Sequence, residues 1–299
     1  MSDDIAAARA LLEAQGCRVI DRLEPRASYG DLDSGEEVGQ LVLIDSETTG
    51  LEVEADEVIQ LAMVKLEYGR STGRLGRVLG TFDRLRQPSR PITLEITKLT
   101  GITNEMVAGH RIDDQEVAAF LGGAALVVAH NASFDRPFTE KHWPVFTDVG
   151  WACSLTEIDW RSEGFEGSKL GHLGLASGFW FAGHNALNDV WALAELLARP
   201  LPVTGDLGLA ALLSHARQPV CRVWAVDAPY EARLMLKARG YRWSPGEKGA
   251  PRCWFKDVPR VDLEVEELFL VDECLAPAAS MRVVAVPPRN RYSARAIVG

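Results

Sequence analysis

The chain reads as a mixed α/β fold, a mixed sheet flanked by helices, followed by a small C-terminal α/β domain. Three observations predict this. Runs rich in Val, Leu and Ile at 41–44, 58–68 and 124–128 have the make-up of buried strands. A helical apolar period, Leu187, Val190, Trp191, Leu193, Ala194 and Leu197, follows them and stops before Pro200-Leu201-Pro202. Beyond that break the signals shorten and change texture.

In chain order, Ile5, Ala8, Leu11 and Leu12 form an apolar stripe that predicts a helix over 4–15, ended by Gly16. Arg18-Val19-Ile20 suits a short strand or an extended arm. The Gly-, Asp- and Ser-rich stretch 28–40 reads as a linker. Strands at 41–44, 58–68 and 77–85 form an antiparallel meander, and helices and strands then alternate. Trp151 and Trp160 read as core, and helices are expected at 169–178 and 207–216. The last part gives a strand at 220–226, a helix at 230–239, strands starting at Tyr241 and Arg252, and a helix at 265–275. The expected organisation is an N-terminal helix and linker (1–38), a main domain (39–202), a small α/β domain (218–286) and a basic tail (287–299). Arg282, Arg289, Arg291 and Arg295 mark the stretch from Met281 onward as a disordered basic arm.

The 299 residues suffice for one large domain or two modest ones. No run approaches the ~20 apolar residues of a membrane helix, so no membrane role is expected. Met1-Ser2-Asp3-Asp4 lacks the apolar core of a signal peptide. Five scattered cysteines, an odd number with no Cys-x-x-Cys, read as reduced thiols of a cytoplasmic protein. The net charge of −10 is unlike that of a non-specific nucleic-acid binder.

Three short segments carry chemistry. Asp45 and Glu47 end the apolar run 41–44. Two apart on a strand, they point to one face, and their repulsion calls for a cation. Hard carboxylate oxygens suit Mg²⁺ or Mn²⁺, while a plain solvated strand end is the bland alternative. Asp135 follows the second buried strand, in the first turn of a helix begun at Asn131 to Ser133; a capping role is its bland alternative. His184 and Asp189 open the helix before Pro200. Residues five apart on a helix diverge by roughly 140°, so they converge only if His184 lies on the preceding loop, which Gly183 permits.

The order Asp-x-Glu, Asp, His-x4-Asp resembles the DEDDh branch of the 3′→5′ exonuclease superfamily, through Asp45, Glu47, Asp135, His184 and Asp189. Arg90-Pro91-Ile92 through Leu99-Thr100-Gly101-Ile102-Thr103 is similar to a supporting segment of that family, with Leu99-Thr100 in place of Ile-His. The sister branch carries Tyr where this chain has Asn185. The resemblance covers about residues 39–200. It implies an RNase H-like fold, two divalent metal ions (Mg²⁺ or Mn²⁺) held by Asp45, Glu47, Asp135 and Asp189, and His184 as general base. It implies stepwise hydrolysis from nucleic-acid 3′ ends, single-stranded DNA first, releasing nucleoside 5′-monophosphates. Thr48 and Thr49 fall where the family meets the terminal nucleotide; Ile92 would either stack on its base or pack in the core, and Asn131 and Phe134 would shape the same cleft. A repair or proofreading role with a polymerase or repair partner, an exoribonuclease, and a non-catalytic nucleic-acid adaptor all stay open.

In the small domain, Lys237, Arg239, Arg242, Lys248, Arg252 and Lys256 interleave with Tyr241, Trp243, Trp254 and Phe255. This pattern fits either a single-strand surface or an aromatic core with solvated charges.

Overall fold

The computed structural model describes residues 3–246, 249–274, 281–293 and 295. Lys248 and the expected helix end at Leu275 lie outside them. The elements begin with α1 (Asp3–Ala14), β1 (Asp21–Arg22), β2 (Val38–Thr48), β3 (Val58–Gly69) and β4 (Leu75–Leu85). Next come α2 (Leu94–Thr100), α3 (Asn104–Val107), α4 (Asp114–Leu121), β5 (Leu126–Ala129), α5 (Ala132–His142) and β6 (Gly150–Cys153). The main domain closes with α6 (Ser154–Glu157), α7 (Leu170–Ala176), β7 (Phe179–Trp180), α8 (Ala186–Ala198) and α9 (Gly208–Ala216). The small domain holds β8 (Val220–Ala225), α10 (Arg233–Ala238), β9 (Arg242–Trp243), β10 (Trp254–Pro259), α11 (Leu263–Leu268) and β11 (Met281–Val286).

The main sheet has the order β4-β3-β2-β5-β6. The meander β2–β3–β4 is antiparallel, and β5 and β6 join parallel to β2. β2 is therefore central, and its apolar run 41–44 is fully buried because both faces are covered. Leu41 and Leu43 pack on the α8 side with Val190, Leu193 and Leu197. Val42 and Ile44 pack on the other with Phe138 of α5 and Trp151. The alternation sends odd residues of β2 to α8 and even residues to α5.

The small domain is an antiparallel sheet of order β11-β8-β10-β9. The expected helix at 230–239 begins as a 3₁₀ turn over Tyr230–Ala232, and the one from 265 passes into a π turn over Phe269–Glu273.

Two expectations change. The stretch 28–40 is strapped to the meander: Ser28 bridges Arg77, and Glu36 accepts hydrogen bonds from Ser71 and Thr72 in the β3–β4 turn. Those donors hold the Glu36 carboxyl down at about 2, against the opposing effect of desolvation. The arm from Met281 is not free. Met281–Val286 pairs with β8, and Arg291 is buried with its guanidinium on the carbonyls of Ala216 and Gln218. The helix expected over 4–15 forms as α1, with Ile5, Leu11 and Leu12 of its apolar stripe exposed.

Candidate active site

The site forms where β2 ends. Asp45 and Glu47 project to one face, while Ser46 and Thr48 turn to the other and are buried. The β2–β3 register slips between Glu47 and Thr48, so a bulge twists the strand at the acids. Asp189 arrives from the first turn of α8. Asp45, Glu47 and Asp189 each offer a carboxylate oxygen within 4.8 Å of the other two.

Local chemistry sets the start of α8. Asn185 caps it, its Oδ1 accepting from the Asn188 amide at 3.2 Å. The Asn188 side chain donates to the Ala182 carbonyl at 2.9 Å. Asp189 folds back to accept from the Asn185 amide at 3.2 Å. His184 stands on the turn before the helix, exposed, with φ of 59°. That left-handed conformation is uncommon outside glycine. It meets the requirement that His184 leave the helix if it is to share a site with Asp189.

Asp135, in the first turn of α5, is 2 % exposed. Ser46 Oγ donates to its Oδ1 at 2.8 Å, so the even face of β2 holds it. It lies outside the group of three acids, yet its charge reaches Asp45 and Glu47. Burial, then mutual repulsion, raises Asp45 well above the carboxylate range. Desolvation, then Asp189 and Asp135, lifts Glu47 to about 7. Burial lifts Asp135 to about 7 against the lowering hydrogen bond from Ser46, and lifts Asp189 to about 6 against lowering bonds from the Asn185 and His184 backbone. No lysine or arginine figures among the main influences on these four groups. An all-oxygen set of carboxylates raised by burial and, for Asp45 and Glu47, by mutual repulsion fits a hard divalent cation.

The expected nucleotide contacts fare unevenly. Thr48 is buried and its hydroxyl donates to the Gly50 carbonyl. Thr49 donates to Asp56 at 3.1 Å and accepts from the Glu57 amide at 3.0 Å, so both threonines shape the turn. Ile92 is 5 % exposed in a cluster with Ile59, Ile102 and Val107. Its face is spent on core packing, the second of the two readings its apolar wall allowed. Asn131 is exposed, and its Oδ1 accepts from Ser133 Oγ at 3.0 Å. Phe134 is half-buried against Phe138, ring centroids 4.9 Å apart.

Sequence reading passed over Ser46, which holds Asp135, and Gln60, which stands opposite Glu47 on β3. Gln60 Oε1 accepts from the Ala186 amide at 3.2 Å and its Nε2 donates to Asp83 at 2.8 Å. A lone amide inside the apolar run 58–64 was the available signal. His130 is structural: its ring nitrogens meet Ser154 Oγ at 2.8 Å and the Ser168 carbonyl at 2.7 Å, and burial lowers its pKa.

An RNase H-like sheet with Asp-x-Glu on its central strand, an acid on α5 and His-x4-Asp at α8 defines the DEDDh class. The chain belongs to the Exonuclease (RNase T) family, whose profile matches residues 42–197. The DNA polymerase III PolC-type of Thermotoga maritima is 30% identical over 206 residues, covering 65% of this chain and 14% of that protein. The DNA polymerase III subunit epsilon-like protein of Rhodobacter capsulatus is 34% identical over 194 residues, covering 59% of this chain and 26% of that protein. The chain thus spans a minor part of these relatives. Among solved structures, exonuclease X in complex with 5′ overhanging duplex DNA is similar at 26% identity and a TM-score of 0.41, covering 53% of this chain and 89% of that one.

Proposed function

We propose that the protein is a divalent-metal-dependent exonuclease that shortens DNA from the 3′ end and releases nucleoside 5′-monophosphates. The observation that carries this is the cluster of Asp45, Glu47 and Asp189, drawn within 4.8 Å, with burial and, for Asp45 and Glu47, mutual repulsion raising their pKa values. Such a cluster is costly to keep unless a metal compensates it. This argues against a non-catalytic adaptor, which gains nothing from the repulsion.

In this reading Asp45, Glu47 and Asp189, with Asp135 beside them, would hold two Mg²⁺ or Mn²⁺ ions. Bound there, two ions would activate a water and neutralise charge gathering on the phosphate and the leaving oxygen. His184, exposed on its turn, accepts the proton of the attacking water. Asn185 and Gln60 fix the turn, so His184 approaches from a set direction. Asn131 and Ser133 at the start of α5 border the entry for the terminal nucleotide. Relatives named for DNA polymerase III favour DNA over RNA as the polymer. A net charge of −10 implies modest affinity unless a polymerase or repair partner presents the end. Four of the five free cysteines are buried, which suits a reducing cytoplasmic setting.

The test is incubation with end-labelled single-stranded DNA, duplex DNA and RNA in Mg²⁺ or Mn²⁺. A ladder of 5′-labelled DNA shortened from the 3′ end, abolished by EDTA, is expected. Full activity of Asp45→Ala or Asp189→Ala would overturn the assignment, and a ladder only from RNA would replace the polymer.

A further inference from the structure

The small domain is built asymmetrically. α10, α11 and the following π turn cover one face of its sheet, packing Leu236 and Leu270 with Val223, Ala225 and Val258. The opposite face carries a cross-strand row, Arg242, Phe255 and Trp224, set by the pairings Phe255↔Arg242 and Phe255↔Trp224. The Arg222 and Arg242 guanidiniums lie 4.6 Å and 5.0 Å from the centre of the Phe255 ring, on either neighbouring strand. At the sheet edge, Trp243 is 50 % exposed and meets Trp254 edge-on at 5.6 Å.

This face looks into a cleft of about 690 Å³ whose far wall is α5 and the loop after Thr49. Among the described residues, four basic side chains (Lys141, Arg222, Arg242 and Arg295) and two acidic ones (Glu54 and Glu140) line it, in a chain of net charge −10. A second cavity, of about 370 Å³, shares Ser133, Arg242 and Tyr292 with it and reaches Asn131. Ser133 lies two residues before Asp135. The cleft therefore ends at the turn of α5 that carries Asp135, although none of the acids lines it.

We propose that this interdomain cleft is a channel for single-stranded nucleic acid, which receives the nucleotides upstream of the 3′ end held at the acidic cluster. The inference rests on the exonuclease reading for the position of that end. Trp243, exposed at the edge next to Arg242, suits unpaired bases, because every nucleotide offers a base face to stack on and a phosphate to the cation. The local positive excess offsets the repulsion between an acidic protein and a polyanion, which the catalytic cluster alone would worsen. Arg242 and Trp243 sit on an edge strand, and Arg242's ion pair with Asp257 is long, at 4.0 Å. Both are open to a ligand without dismantling the core.

The experiment measures anisotropy of fluorescein-labelled oligo-dT of 3, 6, 12 and 20 nucleotides with the 299-residue protein in EDTA. Wild-type affinity is expected to rise with length until the cleft is filled. Trp243→Ala with Arg242→Ala should lose that gain, weakening 20-mer binding about tenfold, the loss of about one stacked base. The slope of log affinity against log salt should fall by about 0.7 for the arginine removed. A coincident thermal melt checks folding, and Arg242→Glu alone, expected to weaken binding further than its Ala counterpart, serves if the double variant melts early. Length-independent binding by the wild type, or a variant that matches it on the 20-mer, would overturn the channel and leave the cleft to another occupant such as a protein. Hydrolysis by the wild type is followed separately in Mg²⁺. Length-dependent binding without hydrolysis defeats only the exonuclease reading, and hydrolysis without length dependence defeats only the channel.

Discussion

At the residue scale, the acids and His184 separate by what they do when changed. His184 touches no other side chain among the described hydrogen bonds and stands exposed. His184→Ala should therefore leave folding and oligonucleotide affinity near wild type while cutting turnover about 10²–10⁴-fold, the usual range for a lost general base. Single-turnover kinetics beside a binding isotherm check this, and a near-wild-type rate would remove the histidine from the mechanism. The acids predict a coupling to pH. Glu47, Asp135 and Asp189 have folded pKa values of about 7, 7 and 6, above those of free carboxyls. Between about pH 4 and 7 the metal-free folded state thus binds more protons than the unfolded chain, and its stability falls as pH rises through that window. Divalent metal must displace those protons, so its affinity climbs over the same window. Melting temperature in EDTA should drop from pH 5 to pH 8, and the gain on adding Mn²⁺ should be larger at pH 8. A gain that is equal at both values would show that the cluster does not titrate as described.

At the scale of elements, the site depends on how β3 and α8 meet. Gln60, 3 % exposed, joins the first turn of α8 to β4 by receiving the Ala186 amide and donating to Asp83. Gln60→Ala leaves that buried amide without an acceptor, at a cost of about 1–3 kcal/mol. Because the turn it secures carries His184 and Asp189, turnover should fall more than KM rises, and amide exchange at Ala186 should quicken. Unchanged exchange would show that the turn is held by Asn185 and Asn188 alone. The long strands were legible because each apolar run alternates or stays buried, and helix α8 because its period of apolar residues ends at Pro200. The five signature residues were legible because they sit at strand ends and helix starts, where their neighbours define the geometry. What escaped was non-local. The bulge at Glu47 exists only against β3, and the strap at Glu36 exists only against the Ser71-Thr72 turn. Ile92 has the apolar character of a base platform, and only the packing of Ile59, Ile102 and Val107 around it shows that it is core. The helix from Leu263 slips into a π turn at Phe269, a hydrogen-bond choice that side-chain periodicity does not encode.

For the whole molecule, the C-terminal segment decides whether the two domains are separable. Arg136 follows Asp135 on α5 and is fully buried, its guanidinium 5.4 Å from the centre of the Trp151 ring. It bonds Glu140 at 2.8 Å, the Arg291 carbonyl at 2.6 Å and the Arg289 carbonyl. Arg291 reciprocates by entering the main domain, where it meets Glu157 at 3.2 Å and the Ala216 carbonyl at 2.6 Å. Ser293 adds a bond to Glu140 at 2.6 Å. The two carbonyls are the only partners that satisfy the outer nitrogens of Arg136 among the described residues. Removing residues 287–299 would therefore leave two N–H groups of the buried Arg136 without acceptors while its pair with Glu140 stays, and each buried donor left unsatisfied costs about 1–3 kcal/mol. The truncated protein should melt earlier and lose activity although every signature residue is intact. If the stranded guanidinium is the cause, Arg136→Met should soften the truncation, because an apolar chain of similar length needs no acceptors there. Melts of the four proteins in this cycle measure the coupling directly. A truncation equally harmful in both backgrounds would place the cost in Arg291 and Tyr292 packing instead, and a harmless one would show that α5 holds Asp135 without the tail.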